Sequence, residues 1–252
     1  METPKRNVVT IIQARMGSSR LPGKVLLDIE GKSMLHRDLE RNLQAKTVDE
    51  VVIATTVKPS DDQIVAAVEG YDPRVSTYRG SEDDVLDRYY QAAKQAKADI
   101  VVRITSDCPL VDPEIIDQVI QLMLDDPSLD YASNVLGKLT YPRGLDVQAC
   151  TFAAMEKMWN VTTEAEDREH VTLYIRKHPE QFKTAFIQSD VDLSEHRWTV
   201  DEPRDLELVR TLYARLYKTN PRFRMKDVLE VFEREPELIN INADVVQKLA
   251  QF

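Results

Sequence analysis

Cysteine is almost missing from this chain of 252 residues: Cys108 and Cys150 are the whole complement. A disulfide framework is therefore not expected, and with no secretory leader opening the sequence the expected compartment is a reducing cytoplasm. Long apolar runs are missing as well. No stretch approaches the roughly 20 residues that a membrane-spanning helix needs, so no membrane partner is expected. Glycine is scarce, at seven residues, and no Gly- or Ser-rich linker, repeat or low-complexity tract divides the chain. A single domain over residues 1–252 is expected rather than two independent ones, and this length buries a core without staples. An excess of positive charge is also lacking. Basic residues number 33 against 43 acidic, a net charge of -10, which argues against a nucleic-acid coat and for a self-repelling, soluble protein.

That balance is uneven. Residues 1–46 hold nine Lys and Arg against five Asp and Glu, a local charge of +4. A confined basic site on an acidic protein suits a small polyanion better than nucleic acid.

Apolar runs at 7–14, 48–56, 74–80 and 98–107 read as buried strands, followed by helical patterns at about 33–46, 60–70, 82–97 and 113–125. The alternation predicts βαβ units and a mostly parallel, doubly wound sheet, with ligands bound beyond the carboxyl ends of its strands. About 1–128 makes a regular first half. Strands at 129–134, 145–150 and 196–201 and helices at 151–159, 165–178 and 203–217 make a looser second half, about 129–220. Residues 221–252 read as a tail of two small helices.

Directly after the first strand comes "QARMGSSRLPGK", Gln13 to Lys24. It is not the phosphate cradle G-x-x-x-x-G-K-[ST]. Five residues separate Gly17 from Gly23, Pro22 removes an amide, and Val25 stands where a metal-binding hydroxyl belongs. Its position still brings Arg15, Arg20 and Lys24 to the ligand edge of the sheet. Ser18, Ser19 and the amides around Gly17 can donate to phosphate oxygens while the cations offset their charge. The alternative is a basic surface turn, although turns rarely need three cations.

Opposite charge follows. Asp107 ends the fourth strand in "RITSDCPLVDP", where a hard cation such as Mg²⁺ would let it approach phosphate; capping of a turn or helix is the alternative. For Asp112, before "PEIID", capping is the better reading. Asp201, in "RWTVDEPRDLELV", reads equally as a second metal ligand or as an N-terminal cap before Pro203. Two acids converging near a triphosphate loop would satisfy Mg²⁺, which takes one or two carboxylates plus substrate oxygens.

The ordered set "ARMGSSRLPGK", "SDCPL" and "VDEPRDLE" resembles the cytidylyltransferases that activate sialic acid and KDO, the eight-carbon sugar acid of lipopolysaccharide. "GSEDDVLDRYYQAA" (80–93), "GLDVQ" (144–148) and "EHVTLYIRKHP" (169–179) are more similar to the branch typified by spore coat polysaccharide biosynthesis protein F. The matches span about residues 8–210. The resemblance implies a nucleotide-diphospho-sugar transferase fold, that is, a Rossmann-like, GT-A-type three-layer α/β fold. It also implies transfer of CMP from CTP to a sugar, a sugar acid or related sugar, with release of pyrophosphate, and it allows a homodimer. Arg15, Arg20 and Lys24 match triphosphate-binding residues, with Gln13, Ala14, Gly17, Ser18 and Ser19 beside them; Asp107 and Asp201 match the Mg²⁺-holding acids. Arg15, Lys24, Asp107 and Asp201 are thus the implied catalytic set. Base recognition near the second to fourth strands suggests Thr55, Arg79 and Arg103.

The sequence departs from the sugar-acid enzymes at Cys108, where those usually carry an acid or amide, and in segments that contact the sugar. Candidates for the sugar side are Arg143, Asp146 and Gln148, polar groups around a glycine in "YPRGLDVQ", and Glu169 with His170, which open an amphipathic helix. A lone helical His is more often structural than a base. Two other functions share this pattern. A glycosyltransferase of the same fold would need the acids but not the three-cation loop, and a silent nucleotide-binding module would bind without turnover.

Overall fold

The computed structural model describes residues 5–246. Its strands are β1 (Val8–Gln13), β2 (Asp28–Ile29), β3 (Lys32–Ser33), β4 (Glu50–Thr56), β5 (Val75–Gly80), β6 (Ile100–Thr105), β7 (Tyr131–Ser133), β8 (Gln148–Thr151) and β9 (Thr184–Phe186). Helices α1 (Met34–Leu43), α2 (Asp62–Val68), α3 (Val85–Gln95) and α4 (Pro113–Asp125) alternate with the strands of the first half. The second half holds α5 (Phe152–Val161), α6 (Ala165–Glu169), α7 (Leu173–Lys177), α8 (Pro203–Leu216) and α9 (Met225–Arg234). Seven strands form one sheet in the order β5-β4-β1-β6-β8-β7-β9, and β2 and β3 form a separate ribbon. Strands β5 to β6 run parallel, β8 is antiparallel to both neighbours, and β9 is parallel to β7.

The continuous apolar runs are explained by burial on both faces. In β1, Val8 and Ile12 pack with Leu39 of α1 and Ile116 of α4, while Val9 and Ile11 pack with Leu86 of α3 and Met155 of α5. Two helical layers thus enclose one sheet, giving the expected three-layer architecture. Among the described residues no helix is long and apolar enough to cross a membrane.

The first half follows the sequence pattern to within a few residues at each boundary; the second departs from it. Residues 196–201 form no strand, because their β-bridge, between Arg143 and Arg197, is isolated and extends into no ladder. Strand β9 has no counterpart among the expected elements. The helix expected over 165–178 is broken by Val171 at φ 56, a left-handed conformation unfavourable for a β-branched residue. Across this turn the Thr172 amide donates to the His170 carbonyl at 2.6 Å. Glu169 therefore ends α6 and His170 caps it, so this pair closes a helix rather than opening one. In the tail, α9 and a 3₁₀ turn at Pro236–Ile241 account for the two small helices, and residues 247–252 lie outside those described.

Gly144 joins the two halves of the site. At φ +99, a Cβ there would stand 2.6 Å from the Thr199 amide nitrogen, so only glycine lets the loop after β7 press against residues 198–199. That contact brings the backbone carrying Arg143 and Asp146 against the segment carrying Asp201.

Candidate active site

The loop after β1 is tied at its base, where the Met16 amide donates to Asp61 at 2.8 Å and the Gly23 amide donates to the Met16 carbonyl at 3.0 Å. Gly23, at φ 67, reverses the chain into a 3₁₀ turn at Lys24–Leu26 and turns Lys24 inward. Among the described residues the amides of Gly17, Ser19 and Arg20 have no hydrogen-bond partner. The Ser18 amide is used within the loop, on the Met16 carbonyl. Free amides beside cations make a concavity suited to an anion.

Lys24 is the centre of the site. Its buried Nζ donates to Asp107 Oδ2 at 3.0 Å, Asp201 Oδ1 at 2.9 Å and the Val200 carbonyl at 2.7 Å. The Thr105 hydroxyl donates to Asp107 Oδ1 at 2.6 Å. The Val200 amide and Thr199 hydroxyl donate to the Asp107 carbonyl, locking the end of β6 to the Asp201 segment. Asp201 Oδ2 accepts from Arg197 at 3.0 Å and faces the Arg20 guanidinium at the same distance. Asp201 therefore serves as an acceptor for cations, while the capping position of α8 belongs to Glu202, whose amide donates to Asp205. Asp112 does cap α4, accepting from the Glu114 amide at 2.8 Å.

Charge states follow from these contacts. Burial works against the Lys24 ammonium, but Asp107 and Asp201 outweigh it and hold the pKa above the ordinary lysine value. Burial would raise the Asp201 carboxyl; Lys24, Arg197 and Arg20 reverse this and hold it below the usual range. Asp146 is different, because burial pushes it up and Arg143 and Arg103 only partly compensate. His170 is lowered, chiefly by burial, which favours the neutral imidazole.

Two cavities meet at the acid pair. The first, about 310 Å³, is lined by Gln13, Ala14, Arg15, Gly17, Ser18, Ser19, Arg20 and Lys24. The second, about 340 Å³, is lined by Arg143, Asp146, Gln148 and His170. Thr105, Asp107 and Asp201 line both.

Four candidates fall elsewhere than expected. Glu169, a sugar-side candidate, lines the first cavity, and Arg103, a base-side candidate, lines the second. Thr55 and Arg79 line neither. Thr55 is fully buried in β4, and Arg79 is held by the Thr56 and Lys58 carbonyls at 2.9 Å and by Asp62 at 2.6 Å. Sequence reasoning missed Arg88, buried in the wall of the first cavity, and Arg176 in the second. Both lie inside stretches that carried the family resemblance, but on helices, with no strand end to mark them.

Asp107 and Asp201 turn one oxygen each toward a single cation, which fits the donor demands of Mg²⁺. Among the described residues no group of three or more His, Cys, Asp or Glu side chains could hold a metal. The acid pair would thus need substrate oxygens or water to complete a shell.

Comparison with known proteins shows what the chain as a whole is similar to. A family model described as cytidylyltransferase matches residues 9–232. The chain is 33% identical to the Bacillus subtilis spore coat polysaccharide biosynthesis protein SpsF over 238 residues, covering 92% of this chain and 96% of that protein. A solved cytidylyltransferase structure from Leptospira borgpetersenii superposes with a TM-score of 0.88 at 32% identity, covering 98% of this chain and 100% of that one. The CMP:2-keto-3-deoxy-manno-octonic acid synthetase complexed with CTP superposes with a TM-score of 0.64 at 25% identity, over 83% of this chain and 99% of that one.

Proposed function

Because the chain belongs to the cytidylyltransferase family, we propose that it transfers CMP from CTP to a hydroxyl of an acidic sugar and releases pyrophosphate. The observation that carries this reading is the shared wall. Asp107 and Asp201, bridged by Lys24, stand where a cation-lined cavity meets a second cavity rich in arginine.

CTP lies in the first cavity with its phosphates toward the loop after β1. Arg15, Arg20 and the free amides of Gly17 and Ser19 bind the triphosphate, and Lys24 sits where charge builds on the leaving pyrophosphate. Asp107 and Asp201 would hold Mg²⁺, which neutralises phosphate charge and stabilises the leaving group. The acceptor occupies the second cavity, where Arg103 and Arg143 pair with its anionic group while Asp146, Gln148 and neutral His170 offer hydrogen bonds to its hydroxyls. Partial burial of these cations beside the cavity strengthens their hold on a carboxylate or phosphate. The sugar hydroxyl approaches the α-phosphate across the shared wall, and positioning supplies much of the rate.

The test is pyrophosphate release with each of four nucleoside triphosphates, crossed with a panel of keto-acid, phosphorylated and amino sugars. CTP with an acidic sugar should give turnover. Turnover confined to neutral sugars would remove the anionic acceptor, and pyrophosphate release with no preference for CTP would remove the cytidylyl assignment.

A further inference from the structure

The end of the chain reaches the acid pair from behind. Phe232 of α9 stacks parallel to Trp198, with ring centroids 6.1 Å apart, and the following turn brings Asn242 into the interior at 4% exposure. Asn242 Nδ2 donates to the Arg197 carbonyl and to Asp205 Oδ1, both at 2.9 Å. Both partners are acceptors, which fixes the amide orientation.

Asp205 is fully buried and fully engaged. Its Oδ1 also accepts from Arg197 Nε at 2.9 Å, and its Oδ2 accepts from Arg197 Nη2 at 3.0 Å and from the amides of Asp201 and Glu202 at 2.9 and 3.0 Å. The same Nη2 continues to Asp201 Oδ2 at 3.0 Å. A bidentate guanidinium–carboxylate pair has a fixed plane, so whatever sets the plane of Asp205 sets that of Arg197 and the direction from which Asp201 is held.

We propose that Asn242 is a positioning residue for the Asp201 carboxylate, acting through Asp205 and Arg197. The inference rests on the reading of Asp201 as a metal ligand. Loss of the Asn242 donor leaves Asp205 Oδ1 and the Arg197 carbonyl each short of a buried partner. The Asp205–Arg197 pair is then held from one side fewer, and Asp201 is less firmly kept in the orientation in which its Oδ1 meets a cation. Partners of this kind typically change metal affinity about 10- to 100-fold. The family-model match ends at residue 232, so Asn242 lies outside the segment by which the family is recognised.

The experiment is a Mn²⁺ titration followed by electron paramagnetic resonance, with CTP present, on the full chain and on Asn242→Ala, Asn242→Asp and the milder Asn242→Ser. Thermal melting is measured alongside. Arg204→Ala serves as the control, because it breaks the exposed ion pair to Asp244 that tethers the same segment at 2.9 Å. The expected result is a Mn²⁺ dissociation constant raised about 10- to 100-fold in Asn242→Ala and Asn242→Asp and less in Asn242→Ser, with pyrophosphate release restored by excess Mg²⁺. Folded Asn242 variants with unchanged Mn²⁺ affinity would overturn the proposal. So would an equal loss in Arg204→Ala, which would assign the effect to tail docking in general. A chain that binds Mn²⁺ with CTP yet transfers no CMP would defeat the proposed activity and leave this inference standing, so the two fail separately.

Discussion

The ammonium of Lys24 lies 2.9 Å from Asp201 Oδ1, and this contact, with its counterpart to Asp107, joins the loop after β1 to the acids of two later segments. One cation compensates two partly buried carboxylates. It is at once a structural tie and a charge in the wall of the cavity proposed to hold the phosphates.

Replacement of Lys24 by Met therefore has two expected outcomes. The stem's packing is kept and the charge is lost. The kcat should fall by about 10² to 10³, as when one preorganised transition-state donor is removed. The ligand-free protein should also melt earlier, because Asp107 Oδ2 and Asp201 Oδ1 lose the cation between them while Arg197 and Arg20 hold only the other oxygen of Asp201, and Mg²⁺ with CTP should recover much of the loss. A normal kcat would take Lys24 out of the chemistry.

Asp107→Asn and Asp201→Asn should each remove most turnover, measured as pyrophosphate release, with the circular-dichroism spectrum retained. Residues acting through one ion form a unit, so the double variant should be little worse than either single one. A double loss equal to the product of the two single losses would mean that the acids act separately.

Thermal shift gives a readout independent of turnover. Ligand at roughly 100 times its Kd adds about 2.7 kcal/mol of stability. With Mg²⁺ present, CTP should raise the melting temperature more than ATP or GTP, and Asp107→Asn should abolish the metal's contribution. Equal shifts with all nucleotides would contradict cytidine selectivity.

Asp146→Asn separates function from stability. Burial raises the folded-state pKa of Asp146 above its unfolded value, so its ionisation at neutral pH opposes folding. The sign follows: the variant should melt higher than the wild type near pH 7, with the difference shrinking as pH falls below the ordinary carboxyl range near 4, where both forms are neutral. Acceptor KM should rise at the same time. Asp201 has the opposite sign. Its depressed pKa contributes stability above the unfolded value that is lost as pH falls through the folded one, and Asp201→Asn should blunt that acid-side loss.

Local physics made much of the protein legible in its sequence. The doubly buried runs of β1, β4 and β6 declared a parallel sheet, because only a strand covered on both faces is apolar without alternation. The place of the loop of cations and glycines was readable too, because chain order alone puts a loop after the first strand at the sheet's ligand edge, where a cavity opens beside it. Asp112 was readable as a cap because its partner is two residues away. The tertiary structure decided everything that depends on distant partners. Thr55 and Arg79 lie on the strands where base recognition was expected, yet β4 buries one and local carbonyls hold the other. Arg88 and Arg176 carry no local mark, since a cation on a helix gains meaning only from the cavity it lines. The failure of 196–201 to pair as a strand and the reach of Asn242 to Asp205 both depend on segments far apart in the chain. Local propensity sees a few residues in each direction, whereas buried hydrogen bonds and close-packed contacts are set by whichever segments the fold brings together.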